Sequence, residues 1–98
     1  MTLDSISIVI PAYNEERRLG ATLDTVLAYL DRRRWRFAEL LVVDDGSADG
    51  TASLAESYAA RNPLVKLLRN PGNRGKGYSV RHGMLAAKGE WVLFSDAD

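Results

Sequence analysis

Short runs of aliphatic and β-branched residues alternate along this chain with segments of helical periodicity, and that alternation leaves few folds open. Ile6, Ser7, Ile8, Val9 and Ile10 read as a strand, stopped by Pro11. Leu19, Leu23, Val26, Leu27 and Leu30 then recur at the spacing of one helical face. Asn14 is placed to cap that helix, with Glu15 and Glu16 in a first turn where the helix dipole favours acids. Leu40, Leu41, Val42 and Val43 make a second strand. Asp49 is placed to cap a second helix through Leu54, Ala55, Tyr58 and Ala59, ended by Asn62 and Pro63. A third strand over residues 65–68 is interrupted by Lys66 and belongs nearer a sheet edge. A third helix is expected over residues 77–87, with Val80, Met84 and Ala87 aligned. Gly89 stands where a left-handed cap is wanted, and residues 91–94 read as a buried fourth strand with Trp91 and Phe94 in the core.

The order is βαβαβαβ. Strands joined by helices must run parallel, with helices on both sheet faces, and nearly continuous apolar strands agree with burial on both sides. The fold class expected is therefore α/β, a Rossmann-like parallel sheet. Ligands of such sheets bind beyond the carboxyl ends of the strands, where strand order reverses. Chemistry is expected in the segments after strands one, two and four.

Composition removes several function classes. Hydrophobic residues make up 46% of the 98 and charged residues 27%, an ordinary globular balance. Lys plus Arg and Asp plus Glu number 13 each, which argues against a nucleic-acid partner held by phosphate neutralisation. With no cysteine there are no disulfides or thiolate metal sites, and a reducing cytoplasm is permitted. No apolar run approaches the roughly 20 residues that span a bilayer. Met1, Thr2, Leu3 and Asp4 lack the basic start of a signal peptide. A chain that stops just after a buried strand delivers acidic residues is expected to be the first part of a longer domain.

Four segments carry candidate chemistry. After the first strand, Pro11 fixes the exit, Tyr13 offers a flat face for a base, and Glu15 brings a carboxylate; a plain capped helix start is the other reading. The second strand ends in Asp44 and Asp45, adjacent carboxylates that repel unless something binds them. A carboxylate there can accept from a base N–H or a ribose hydroxyl, although Asp-Gly pairs also make ordinary polar turns. Asn73, Arg74, Gly75, Lys76 and Gly77 open the third helix with freed backbone N–H groups and two cations, so an anion could sit there, or the segment is a flexible turn. It is no P-loop, because Gly77 rather than Ser or Thr follows the lysine. No G-x-G-x-x-G follows strand one, which counts against a dinucleotide-binding domain. Asp96 and Asp98 lie two apart in an extended segment and can converge on one hard cation. A solvated acidic loop is the plainer alternative.

Taken jointly, "IVIPAYNEE", "VVDDGSADGT", "NRGKGYSVRHGM" and "FSDAD" resemble the family-2 glycosyltransferases in order and approximate spacing, over essentially the whole chain. The likeness is strongest to the polyprenyl- and dolichyl-phosphate hexosyltransferases, and "GNRGKGYSVRHGML" looks more like the glucosyl than the mannosyl branch. The resemblance implies the N-terminal, nucleotide-binding half of a GT-A fold, cut at the acidic motif. It implies that Pro11, Ala12, Tyr13, Glu15, Val43, Asp45 and Lys76 cradle a nucleotide sugar, with Asp45 on the base. Asp96, Ala97 and Asp98 would meet ribose, diphosphate and a Mg2+ or Mn2+ ion, with Asp98 the more direct ligand. The implied reaction is inverting transfer of a hexose, from UDP-glucose, to a polyprenyl phosphate or a glycan acceptor. The longer enzyme is expected in the cytoplasm or at the cytoplasmic face of a membrane.

Other residues get plainer readings. His82 has no second histidine near it and is expected to be structural. Arg32, Arg33, Arg34 and Arg36 read as a solvated helix end rather than a headgroup site. The alternative function is a non-catalytic nucleotide-binding or signalling α/β module. An apolar fourth strand left as an edge would make the 98 residues self-associate, and without an acceptor half they are expected not to transfer sugar.

Overall fold

The computed structural model describes residues 4–96. Seven elements follow in the expected order: β1 (Ser5–Ala12), α1 (Leu19–Asp31), β2 (Phe37–Asp44), α2 (Thr51–Arg61), β3 (Val65–Arg69), α3 (Lys76–Ala86) and β4 (Trp91–Phe94). All pairings are parallel and the sheet order is β3-β2-β1-β4. The chain therefore steps outward from β1 to β3, then crosses back to place β4 on the far side of β1.

Successive strand residues point to opposite faces, so each inner strand feeds two cores. Ile6, Ile8, Ile10, Leu40, Val42 and Val65 meet Leu19, Leu23 and Leu30 of α1 and Ala55 of α2 on one face. Val9, Leu41 and Val43 lie on the other, packed by Ala86, Ala87 and Val92. β3 lies at an edge, as its lysine suggested: Lys66 Nζ reaches 2.9 Å from Glu39 Oε1.

Four expectations are corrected. α1 begins at Leu19, not after Asn14, and Asn14 takes a left-handed φ of 51°. The reason is tertiary. The N–H groups of Asn14 and Glu15 donate to Ser47 Oγ (2.9 Å) and Thr51 Oγ1 (2.8 Å), and the Asn14 side-chain oxygen accepts from the Ala48 N–H (2.8 Å). The loop after β2 thus takes the donors and acceptor that a cap would have used. Asp49 does serve the start of α2, accepting from the Thr51 N–H at 2.9 Å, although Gly50 occupies the cap position.

The inner face of α3 is Ser79 and Gly83, with Ala86 and Ala87 packed below, whereas Met84 is 54% exposed. Small residues let the helix lie close on the sheet. A Cβ on Gly83 would fall 2.3 Å from Val9 Cγ1.

Gly89 is not left-handed; the positive-φ glycines are Gly46, Gly72 and Gly75. Its lack of a side chain serves close approach instead, since a Cβ would lie 2.6 Å from the Ile6 carbonyl carbon and the Ser7 nitrogen. Finally, among the described residues β4 pairs only with β1, and Trp91, Leu93 and Phe94 stay exposed rather than entering the core. The helices pack over the inner strands and leave this edge uncovered.

Candidate functional site

Strand order reverses between β1 and β4, so the crevice is expected at their carboxyl ends. A cavity of about 420 Å3 opens there. Pro11, Ala12, Tyr13 and Glu15 form the wall that follows β1, and Asp45 the wall that follows β2. Asn73, Gly75, Lys76 and Ser79 come from the start of α3, and Asp96 from the segment after β4. A larger open groove of about 860 Å3 lies at the opposite end, by Trp35, Phe37 and Leu64 at the amino ends of β2 and β3. Arg33 and Arg36 line it, but none of the four segments with candidate chemistry does. The smaller cavity is the functional candidate because, among the described residues, convergent polar groups and the strand-order reversal coincide there.

Tyr13 is 47% exposed, with its ring available to a planar ligand. Glu15 Oε2 is buried without a hydrogen-bond partner, a polar atom left over at the cavity wall. Lys76 Nζ stands 2.6 Å from Asp96 Oδ1, both side chains more than half exposed, so a cation and a carboxylate face each other at the mouth. Val43 does not line the cavity: its side chain is fully buried beneath α3. Ala97 and Asp98 lie outside the described residues.

Asp45 differs from a carboxylate open to a base. It is 5% exposed, and both oxygens point into the segment before α3. Oδ1 accepts from Asn70 Nδ2 and the Arg74 N–H, each at 2.8 Å. Oδ2 accepts from the Gly75 N–H at 2.9 Å and Asn73 Nδ2 at 3.2 Å. Burial alone would push its carboxyl up, but these donors outweigh burial and hold it below the ordinary range. The glycine-containing loop does bind an anion, and that anion belongs to the protein.

Sequence reasoning passed over Asn70 and Ser79. Asn70 is buried and bridges Asp45 and Ser79 Oγ through Nδ2, while its Oδ1 faces His82 Nδ1 at 2.8 Å. Because the amide nitrogen must serve the carboxylate, the oxygen accepts, and His82 carries its proton on Nδ1. His82 is thus a structural histidine, as expected. An Asn before Pro-Gly reads as a turn, and nothing in its spacing signals a buried hub. The arginine run is solvated, with Arg33 stacked 4.5 Å over the Trp35 ring and Arg36 paired to Glu90.

The site can be tested for a divalent ion by its donors. Among the described residues no group of three or more His, Cys, Asp or Glu side chains converges. Asp96 offers one exposed hard oxygen ligand beside the cavity. Magnesium and manganese bound with a diphosphate need only one or two protein carboxylates, the phosphates and waters completing the shell. The residues present fit an ion that arrives with a nucleotide.

Fold and cavity together define a Rossmann-like nucleotide-binding α/β domain of the kind found in GT-A glycosyltransferases. The model of the family described as "Glycosyl transferase family 2" matches residues 7–98, and the chain belongs to that family. It is 46% identical to a dolichyl-phosphate beta-glucosyltransferase of Drosophila melanogaster and 40% identical to that of Homo sapiens, with 95% of this chain covered in each. It superposes on the mannosyltransferase PcManGT from Pyrobaculum calidifontis, solved with GDP-Man and Mn2+, with a TM-score of 0.85 at 32% identity over 99% of this chain. Glucosyl-3-phosphoglycerate synthase from Mycobacterium tuberculosis, solved with Mn2+, UDP and phosphoglyceric acid, gives 0.77 at 28% identity over 97% of this chain. The chain spans between 28% and 33% of the length of these four proteins.

Proposed function

We propose that this chain is the nucleotide-sugar-binding half of an inverting hexosyltransferase that uses UDP-glucose and a polyprenyl phosphate acceptor. The observation that carries the reading is the cavity at the β1–β4 reversal, with Tyr13 on its wall and the Lys76–Asp96 pair at its mouth. An aromatic face suits a base, and a cation facing a carboxylate suits a diphosphate that brings a metal. The glucosyl branch and the acceptor are supported by the names of the curated relatives.

Pro11, Ala12, Tyr13 and Glu15 line the nucleoside pocket, Glu15 Oε2 being a free acceptor for a hydroxyl or base N–H. Val43 contributes from within the core, by fixing the strand that ends in Asp44. Lys76 binds the diphosphate by charge. A Mg2+ or Mn2+ ion would be held by Asp96 and, by the family resemblance, Asp98 with Ala97 between them. That ion would supply electrophilic stabilisation of the negative charge gathering on the leaving diphosphate. In the transfer, the acceptor oxygen bonds to the anomeric carbon from the face opposite the breaking C–O bond, and UDP leaves with that bond's electron pair. A phosphate acceptor is already anionic, so no protein base need take a proton from it. Alignment of the acceptor oxygen with the anomeric carbon supplies much of the rate.

Among the described residues no helix is long and apolar enough to cross a membrane. A lipid-linked acceptor supports a site of action at the cytoplasmic face of a membrane. Calorimetry of the 98-residue chain with UDP and Mn2+ tests the binding role, and no heat at millimolar UDP would refute it. Turnover of UDP-glucose and a polyprenyl phosphate by the longer protein tests the activity.

A further inference from the structure

Three polar side chains are buried at the far end of the sheet from the cavity, where the nucleotide reading has no use for them. Ser5, Ser7 and Glu39 are each no more than 3% exposed. They lie toward the amino ends of β1 and β2, on the face that also carries Val9 and Leu41, and Ser7 and Glu39 are direct partners across the two strands. Apolar side chains would fill these positions at less cost, because a buried polar group destabilises unless it is hydrogen-bonded. Here the partners are three consecutive amides. The Lys88 N–H donates to Glu39 Oε2 (2.8 Å), the Gly89 N–H to Ser7 Oγ (2.9 Å) and the Glu90 N–H to Ser5 Oγ (2.7 Å). Ser7 Oγ donates in turn to Glu39 Oε2 at 2.7 Å, and Lys66 Nζ holds the other Glu39 oxygen at 2.9 Å. Residues 88–90 are the crossing from α3 into β4, laid directly on the backbone of Ile6 and Ser7.

The contact matters because β4 has little else to fix its register, which in most strands is set by a buried face. β4 has four residues; Trp91, Leu93 and Phe94 are exposed, and Val92 alone of the four packs into the core. Pairing starts just past the three amides, with Trp91 opposite Ile6, and runs on to the Ser95 N–H, which donates to the Val9 carbonyl at 3.0 Å. Asp96 comes next, its Oδ1 2.6 Å from Lys76 Nζ. A slip of one residue would reverse every side chain on β4 and shift Asp96 by about 3.3 Å along the strand, enough to undo that contact.

We infer that Ser7 and Glu39, helped by Ser5, are positioning residues: they latch residues 88–90 onto β1 and so set the register that brings Asp96 opposite Lys76. The inference rests on the reading of Asp96 as a holder of the metal that comes with the diphosphate, and deepens it.

The test uses the 98-residue chain as wild type, Ser7→Ala, Asp96→Asn and the double variant. UDP affinity is measured by NMR titration with Mn2+ and with EDTA, and the ratio of the two is the readout. Ser7→Ala should lower that ratio about fivefold or more, the factor one buried hydrogen bond carries, and leave the metal-free affinity unchanged. In the Asp96→Asn background it should cost little further, because the group it positions is gone. An unchanged ratio, equal losses with and without metal, or additive losses in the double variant would overturn the inference alone. A wild-type ratio of one would overturn the metal–nucleotide reading and the inference with it. Should Ser7→Ala not fold, hydrogen exchange of wild type decides. The Lys88, Gly89, Glu90 and Ser95 amides should open in one step with equal protection. A Ser95 amide that exchanges independently of the other three would overturn the latch.

Discussion

Gly83→Ala adds one methyl group where the structure has no room for it. The new Cβ would lie 2.3 Å from Val9 Cγ1, 3.0 Å from Val9 Cγ2 and 3.3 Å from Val43 Cγ2. Carbon pairs prefer about 3.5–4.0 Å. Neither neighbour yields easily: Val9 and Val43 are fully buried on inner strands, and a β-branched side chain has few rotamers to retreat to. Overpacking of this kind costs about 1–3 kcal/mol, and the shortness of the Val9 contact puts it near the upper end. Alanine in a helix interior recovers roughly 0.5–1 kcal/mol over glycine. The variant should therefore be destabilised by about 1–2 kcal/mol, read as a lower urea midpoint with an unchanged slope. A cycle with Val9→Ala identifies the cause. Trimming Val9 alone should cost roughly 1.5–2 kcal/mol, at about 0.8 kcal/mol per buried carbon group. In that background the added methyl should be neutral or stabilising. A Gly83→Ala variant more stable than wild type, or one costing the same with Val9 and with Ala at that position, would refute the close packing of α3 on the sheet.

Three further outcomes are expected. Glu39 is 1% exposed and accepts from Ser7 Oγ, the Lys88 N–H and Lys66 Nζ; burial pushes its carboxyl up, but these donors hold it below its ordinary 4.5. A depressed carboxyl stabilises the fold above its unfolded pKa and loses that contribution as pH falls through the folded value. Glu39→Gln should thus cost about 2 kcal/mol near neutrality. That gap should shrink below pH 4.5 in urea titrations, and a pH-independent gap would contradict the assignment. Manganese should bind poorly alone and better with UDP, because Asp96 offers too few ligands by itself; tight binding without nucleotide, measured by calorimetry, would reverse that order. The chain should self-associate through β4, where Trp91 and Leu93 are exposed on a strand paired only on one side, and Leu93→Lys should reduce it. A strict monomer in sedimentation at tens of micromolar would rule this out.

Much of the site was legible because chemistry at a strand's carboxyl end needs few residues in a recognisable local order. Pro11, Tyr13, Glu15, Lys76 and Asp96 were all named from such order, and the structure brings them to one cavity. Asp45 was named on the same grounds and Val43 by the family resemblance, yet Val43 packs beneath α3 and Asp45 turns inward. Orientation of a side chain depends on what stands opposite it, and a linear pattern does not contain that.

The same division runs through the fold. Local periodicity and helix-linked strands were sufficient to determine the element order, the parallel sheet and the apolar face of α1, because each follows from residues within a few positions or from the geometry of crossovers. Competition between distant groups decided the rest. The β2–α2 loop took the hydrogen bonds that Asn14 would have used to cap a helix. Val9, some seventy positions away, made Gly83 rather than Met84 the inner face of α3, and the backbone of Ile6 and Ser7 explains Gly89. Asn70 became a hub only because Asp45 and His82 came to lie on either side of it. A residue's own preference is worth a few tenths to one kcal/mol. A buried hydrogen bond to a charge or a steric overlap is worth about 1–3 kcal/mol, so tertiary contacts prevail wherever the two disagree.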